Sequence, residues 1–105
     1  LSDIPGIEKK PPPSLTAKEG RKVSLPCSPN GYPKPEITWY KDGQKMDSRL
    51  YNKETGELTF PSIQFNDRGL YKCEARNFLG VESATVKVVV ESKKGFIHVF
   101  KVCCM

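Results

Sequence analysis

The sequence has no long apolar run, and this absence narrows the classes of protein to consider. No stretch approaches the ~20 apolar residues that cross a bilayer, so we expect no membrane insertion by this segment. The first residues include no initiator methionine, basic region or apolar core, and so do not match a secretion signal. We therefore expect a domain from a longer protein, with neighbouring domains on the same chain.

The sequence also has few of the groups that catalysis or metal binding needs. Its single histidine, His98, lies near the C-terminal end, and no Cys-x-x-Cys pair is present. No nucleophile has a recognisable base partner, and no glycine-rich phosphate loop follows a predicted strand. We expect no enzyme activity, no metal site and no cofactor.

Size and composition are those of one folded domain. With 37% hydrophobic and 28% charged residues in 105, the chain suits a globular domain better than a disordered one. The net charge of +5 favours an acidic partner, although scattered lysines are usually a solvated surface. No aromatic platform is interleaved with the basic residues, so we expect no nucleic-acid binding.

Apolar residues alternate with polar ones in short segments separated by turn residues, which predicts an all-β sandwich or barrel. The alternating inward positions are Val23, Leu25 and Cys27; Ile37 and Trp39; Leu58 and Phe60; Tyr71, Cys73 and Ala75; and Ala84, Val86, Val88 and Val90. Asp42 and Gly43 predict a tight hairpin turn, and residues 28–35 are rich enough in turn formers to predict a loop. No stretch shows a helical period.

Three segments follow from these patterns. Residues 1–10 are interpreted as a linker, with an edge strand interrupted by proline as the alternative. Residues 11–91 are the predicted domain, and residues 92–105 are a C-terminal extension.

Cys27, Trp39 and Cys73 occupy inward positions of three different predicted strands. The cysteines are 46 positions apart, and a disulfide closing a loop of that length stabilises a fold by about 4 kcal/mol in the chain-entropy model. Zinc ligands or reactive thiols are the alternative, but zinc needs four clustered donors. We interpret the pair as a disulfide that joins two sheets and packs against the indole.

The same residues belong to a longer pattern. Its elements are Gly20, Leu25, Cys27, the run at residues 37–43, Leu58, the run at residues 67–75, and Asn77 with Gly80. On these motifs residues 11–91 resemble the intermediate set (I-set) of immunoglobulin domains. The cysteine spacing is shorter than variable-type domains need for their additional strand, which favours the intermediate set.

The resemblance implies a two-sheet Greek-key immunoglobulin-like sandwich. The structural core residues that it implies are Trp39, Leu58, Tyr71 and Asp67. Tyr71 fits a tyrosine corner, in which the hydroxyl returns to backbone near the preceding turn. Asp67 begins that turn, and the resemblance suggests that it pairs with a basic residue, for which Arg49 is the nearest candidate.

The resemblance also implies a non-catalytic binding module, because I-set domains are found in adhesion molecules, receptor ectodomains and matrix proteins. Others belong to intracellular muscle and actin-associated scaffolds. The candidate face for a protein partner consists of the outward residues Tyr40, Lys72, Glu74, Arg76 and Lys87. An ordinary solvated face has the same composition, so this alternative remains open.

A second candidate surface is basic. Lys18, Arg21 and Lys22 flank a predicted turn, with Lys9 and Lys10 upstream. These cations suit the sulfates of heparan sulfate, and the segment is similar to heparin-binding immunoglobulin domains of growth-factor receptors. The alternative is a solvated turn.

A disulfide favours an oxidising compartment, so we expect an extracellular or cell-surface location. The sequence has no Asn-x-Ser/Thr site, which weakens that expectation. The alternative is a cytoplasmic, cytoskeletal module.

The family pattern ends after Val90, and the last residues are apolar and strand-prone. We consider an alternative terminus, the start of another domain, or an added strand that dimerises through Cys103 or Cys104. Prenylation is not expected, because Val102 stands where the modified cysteine is required.

Overall fold

The structure, a computed structural model, describes residues 2–92. In chain order the strands are β1 (Asp3–Lys9), β2 (Ser14–Lys18), β3 (Val23–Leu25), β4 (Ser28–Tyr32), β5 (Glu36–Lys41), β6 (Gln44–Lys45), β7 (Leu58–Phe60), β8 (Gly69–Asn77) and β9 (Gly80–Glu91). Two short 3-10 helices span Ser48–Leu50 and Phe65–Asp67. Within this part of the chain, no helix has the length and apolar character to cross a membrane.

The strands form two layers. One is a five-stranded sheet in the order β2-β9-β8-β5-β6, in which β2 runs parallel to β9 and the other neighbours are antiparallel. The other layer consists of the antiparallel pairs β1–β4 and β3–β7. Their inward residues share one hydrophobic core. The predicted all-β sandwich is confirmed.

The core is centred on the disulfide between Cys27 and Cys73, whose Cα atoms are 6.5 Å apart. Trp39 is the register partner of Cys73 on the neighbouring strand, so the indole and the disulfide lie side by side. Leu58 and Tyr71 are also buried in this core. The predicted hairpin turn is present as well, since Asp42 (φ 50°) and Gly43 (φ 83°) both have the positive φ of a type I′ turn.

Gly56 packs against Trp39 and Cys27 at the edge of this core, a role that the sequence did not indicate. Its carbonyl accepts a hydrogen bond of 2.8 Å from Nε1 of Trp39. Its φ is 78°, and a Cβ at this position would lie 1.8 Å from the carbonyl oxygen of Cys27. Only glycine fits between the indole and the disulfide-bonded strand.

Tyr71 forms the expected tyrosine corner, since its hydroxyl donates to the carbonyl of Asp67. Burial raises the pKa of Tyr71, and the negative charges of Asp67 and Asp42 raise this pKa further. Asp67 itself is only half-buried, and its carboxylate accepts from the amide of Gln64 at 2.7 Å. It caps the second 3-10 helix, so its assignment to the core is wrong.

Arg49 does not pair with Asp67. Its guanidinium contacts Asp47 at 2.6 Å, and this hydrogen bonding lowers the pKa of the Asp47 carboxyl. The two residues are neighbours across a single 3-10 turn, so the local partner is reached at a smaller entropic cost than one on a distant turn.

The structure differs from the linker predicted for residues 1–10. Asp3–Lys9 is strand β1, which pairs with β4, and Ile7 lies in the core at 7% exposure. The side-chain amide of Asn77 donates to the carbonyl of Asp3 at 2.9 Å and fastens the start of this strand. The edge-strand alternative is the one observed, because an edge strand tolerates proline on its unpaired side.

The loop predicted for residues 28–35 is also partly wrong. Ser28–Tyr32 forms β4, although it contains Pro29 and Gly31. Its pairing with β1 is irregular, with a register shift between Ile7 and Lys9, and such an irregular edge accommodates residues that interrupt a regular ladder. The extension at residues 92–105, with Cys103 and Cys104, lies outside the described residues except for Ser92.

Candidate protein-binding face

The outer face of the five-stranded sheet carries the predicted partner residues. In the pairing of β5 with β8, Tyr40 lies opposite Lys72, Thr38 opposite Glu74, and Trp39 opposite Cys73. Because side chains of a strand alternate between the two faces, the buried Trp39–Cys73 pair fixes the first two pairs on the outer face. The sequence-predicted residues of β5 and β8 are thus brought together.

Glu74 is at the centre of this face. One of its carboxylate oxygens lies 3.4 Å from the hydroxyl of Tyr40 and 3.3 Å from Nη2 of Arg76, and the other lies 4.0 Å from Nζ of Lys72. The Glu74 side chain is 15% exposed, against 43% for Lys72 and 60% for Arg76. A shielded carboxylate therefore holds in place a phenol and two cations that are more exposed than the carboxylate itself. We call these four residues the Glu74 cluster.

Tyr40 is the aromatic member of the Glu74 cluster. Nζ of Lys72 lies 4.8 Å from the centroid of its ring, within the range of a cation–π contact. Desolvation raises the pKa of Tyr40, and the negative charge of Glu74 raises it further. The phenol therefore stays protonated at neutral pH and serves as a hydrogen-bond donor.

Lys87 lies in the next row of the same face, outside the Glu74 cluster. Its register partner on β8 is Leu70, two positions before Lys72. Within residues 2–92, no ion pair or side-chain hydrogen bond of Lys87 is found. The structure places this residue on the predicted face but does not bring it into contact with the other four.

Two exposed apolar residues on this face were missed. Leu70 is 53% exposed and Val81 is 43% exposed, and they lie opposite Lys87 and Arg76 respectively. The alternation of β8 was a usable signal, because the inward assignment of Tyr71 and Cys73 directs Leu70 outward. Apolar side chains beside organised charges are typical of protein contact surfaces.

In the structure, the basic turn of the second candidate surface is separated from the upstream lysines. Lys18, Arg21 and Lys22 are exposed around the turn between β2 and β3, where the amide of Arg21 donates to the carbonyl of Lys18 at 3.1 Å. Lys10 instead contacts Glu82 at 3.7 Å, whereas Lys18 lies beside the far end of β9. These positions are about 30 Å apart along the strand, so the upstream lysines do not extend the basic turn.

The described residues offer no site for a metal ion: no group of three or more His, Cys, Asp or Glu side chains is clustered among them. The only histidine of the sequence, His98, lies outside that part of the chain.

The chain belongs to the immunoglobulin domain family, whose model matches residues 4–77. It is 35% identical over 88 residues to protein turtle homolog B of Rattus norvegicus and 32% identical over 91 residues to neural cell adhesion molecule 1 of Bos taurus. The matches cover 83% and 82% of this chain but 7% and 11% of those relatives. The chain thus spans a small part of the length of the curated relatives it matches.

The fold is also similar to that of solved immunoglobulin structures. The crystal structure of the titin M10–obscurin-like 1 immunoglobulin complex superposes with a TM-score of 0.74 at 28% identity, covering 88% of this chain and 97% of the matched one. The immunoglobulin resemblance inferred from the sequence is confirmed at the level of the superfamily, and the assignment to the intermediate set stays a prediction.

Proposed function

We propose that this chain is a non-catalytic binding domain of the intermediate set, one module of an extracellular adhesion, receptor or matrix protein. It contacts a protein partner through the outer face of the five-stranded sheet. The observation that carries the proposal is the Glu74 cluster. Two cations and a phenol are held around one shielded carboxylate on a rigid sheet, so little side-chain entropy remains to be lost on binding.

The exposed apolar residues of this face support the same function. Leu70 and Val81 add surface that gains from burial, at roughly 25 cal/mol per Å². Charged groups beside such a patch favour one partner over others, because a wrong partner leaves them desolvated and unpaired.

The intermediate-set assignment is supported by the segment between β6 and β7. Over residues 46–57 the structure has one 3-10 helix and a single bridge between Tyr51 and Leu58, with no full strand. A variable-type domain adds two strands beside the strand that carries the buried tryptophan, whereas this sheet has one there, β6.

The extracellular location is supported by the disulfide and by the similarity to neural cell adhesion molecule 1. The likeness to the titin–obscurin-like 1 complex supports the alternative, a cytoplasmic scaffold module. Alkylation of native-source protein in denaturant without reductant, followed by mass spectrometry, separates the two. Labelled Cys27 and Cys73 would contradict the extracellular proposal.

The binding proposal is tested by affinity capture on the immobilised chain, followed by titration of each purified candidate partner. We expect Arg76→Glu to weaken binding at least tenfold, because it places an anion beside Glu74. Lys22→Glu makes the same charge change at an exposed position directly before β3, in the other layer, and is the control. A partner that binds wild type, Arg76→Glu and Tyr40→Ala equally would place the contact on another surface.

Heparan sulfate binding is a second candidate, favoured by one observation. The side chains of Lys18, Arg21 and Lys22 are exposed, and none forms an ion pair within residues 2–92. The site is confined to these three cations, so we expect heparin-Sepharose to retain the chain weakly, with elution at or just above physiological salt. Elution below that salt concentration, or equal retention of Arg21→Ala, would reject it.

A further inference from the structure

Strand β2 lies at the edge of the five-stranded sheet, and its ladder is regular. It pairs with β9 through five consecutive residue pairs, from Ser14 with Lys87 to Lys18 with Glu91, without a register shift. Open strand edges pair with other strands unless bulges, prolines or charges protect them. Here three prolines precede the strand and a lysine ends it, so the middle of the edge has none of these protections.

The hydrogen bonds at the two ends of β2 show which backbone groups face the open edge. The carbonyl of Pro13 accepts from an amide of β9 at 2.9 Å, and the amide of Glu19 donates to a carbonyl of β9 at 2.7 Å. Successive residues of a strand direct their N–H and C=O groups to alternate sides, so the odd-numbered residues face β9. The backbone groups of Ser14, Thr16 and Lys18 therefore point away from the sheet.

The side chains of this edge are compatible with a second strand beside it. Those of Ser14, Thr16 and Lys18 are exposed on the outer face, in line with Lys87, Val89 and Glu91 of β9. On the inner side, Leu15 and Ala17 are half-buried against the core, so a neighbouring strand would cover apolar surface that a lone domain leaves in water.

We propose that β2 pairs antiparallel with β2 of a second copy of this chain, across a twofold axis at Thr16. The two five-stranded sheets then form one continuous sheet. In this register Thr16 faces Thr16 of the second copy, Ser14 faces Lys18, and Leu15 faces Ala17. About four backbone hydrogen bonds form from groups that already point outward, and two more share the carbonyl of Lys18, which also accepts from the amide of Arg21.

A second copy is the occupant because the edge is complementary to itself. Its one charge, at Lys18, lies opposite a serine, and the two lysines of the dimer are about 14 Å apart along the strands. That exceeds the Debye length of about 8 Å at physiological salt, so their repulsion is screened. Moving the register by two residues in one direction would place Pro12, which has no N–H, opposite Lys18. Moving it in the other direction would bring the two lysines to about 7 Å apart along the strands, within the Debye length, so both alternatives are less favourable than the axis at Thr16.

The oligomeric state of the full chain tests this proposal. All proteins carry Cys103→Ser and Cys104→Ser, so that a disulfide of the C-terminal extension makes no contribution. Sedimentation of the otherwise wild-type chain should give a mass that rises from 11.8 kDa toward twice that value with concentration. Thr16→Lys places two like charges opposite each other and should weaken self-association at least tenfold. Thr85→Lys, the same change on the outer face of β9 away from the edge, should leave it unchanged.

Hydrogen exchange locates the contact. The amide of Thr16 should exchange rapidly in dilute solution and slowly in concentrated solution, whereas the amide of Ala17, bonded to β9, should be protected in both. A chain that is monomeric at all concentrations, or one whose self-association survives Thr16→Lys, would overturn the proposal. So would a Thr16 amide protected in the monomer, because another part of the same chain would then cover the edge.

Discussion

The strands around the disulfide and the N-terminal pair β1–β4 share one core but have different sequence patterns. β5 and β8 pair without interruption, and their buried residues alternate strictly with outward ones. β1 and β4 contain Pro5 and Pro29, and their register shifts twice. A strand with two neighbours needs an N–H at every paired position, whereas an edge strand needs only those on one side. The alternation of apolar and polar residues therefore identifies the inner strands, but it does not identify the edge strands that contain proline.

The first prediction concerns the disulfide at the centre of the core. Replacing Cys27 and Cys73 by alanine should lower the free energy of unfolding by about 2–5 kcal/mol, the largest effect considered. The unfolded chain regains the entropy that the crosslink removed, and Trp39 loses a neighbour in the core. Urea unfolding followed by Trp39 fluorescence measures the loss.

Both chains carry Cys103→Ser and Cys104→Ser, so that only the internal pair differs. An unchanged unfolding midpoint would mean that packing around the indole, rather than the disulfide, stabilises the sandwich.

The second prediction tests whether β1 is part of the domain. Ile7→Ala should lower the free energy of unfolding by about 2–3 kcal/mol, because it leaves a cavity in the core. Ile4→Ala removes the same atoms from a side chain that is 73% exposed and is the matched control, with an expected change within about 0.5 kcal/mol. Equal effects of the two substitutions would indicate that residues 1–10 are a linker and not part of the domain.

These two regions also show how much of the fold was predictable. Trp39 and Tyr71 could be placed from alternation and the family motif, because a buried face permits only apolar residues at every second position. Ile7 could not, because the prolines around it are as compatible with a linker as with an edge strand. Gly56 was missed for another reason: its role depends on its distance to Cys27, which lies far away in the sequence.

The third prediction concerns the tyrosine corner, at the boundary between core and turn. Tyr71→Phe should cost about 1 kcal/mol at neutral pH, because the carbonyl of Asp67 loses its donor. Burial raises the folded-state pKa of Tyr71 above the unfolded value near 10, so the stabilisation from the neutral phenol is fully present below pH 10. It is lost as the pH rises from there toward the folded-state pKa.

Unfolding midpoints measured from pH 8 to about 11.5 check this dependence. The wild-type midpoint should fall more steeply above pH 10 than that of Tyr71→Phe. Parallel curves would show that Tyr71 titrates normally in the folded chain.

The candidate site was predictable to a similar degree. Alternation places Tyr40, Lys72, Glu74 and Arg76 on one face, but it does not show that Glu74 is the shielded centre. That depends on side-chain conformation across two strands. The same limit explains Arg49, whose nearest acid in space is Asp47 and not the residue suggested by the family pattern.

The smallest effect is expected at Arg49, which does not form the pair with Asp67 that the family pattern suggested. Arg49→Ala should leave the thermal midpoint unchanged within error, because its contact with Asp47 is exposed and such pairs contribute little. Asp67→Ala should cost about 1 kcal/mol, because the amide of Gln64 at the start of the 3-10 helix loses its acceptor. If Arg49 paired with Asp67, the two substitutions would lower the midpoint together and the double variant would lose no more than either alone. Independent effects, with only Asp67→Ala destabilising, identify Asp67 as a capping residue that acts without a basic partner.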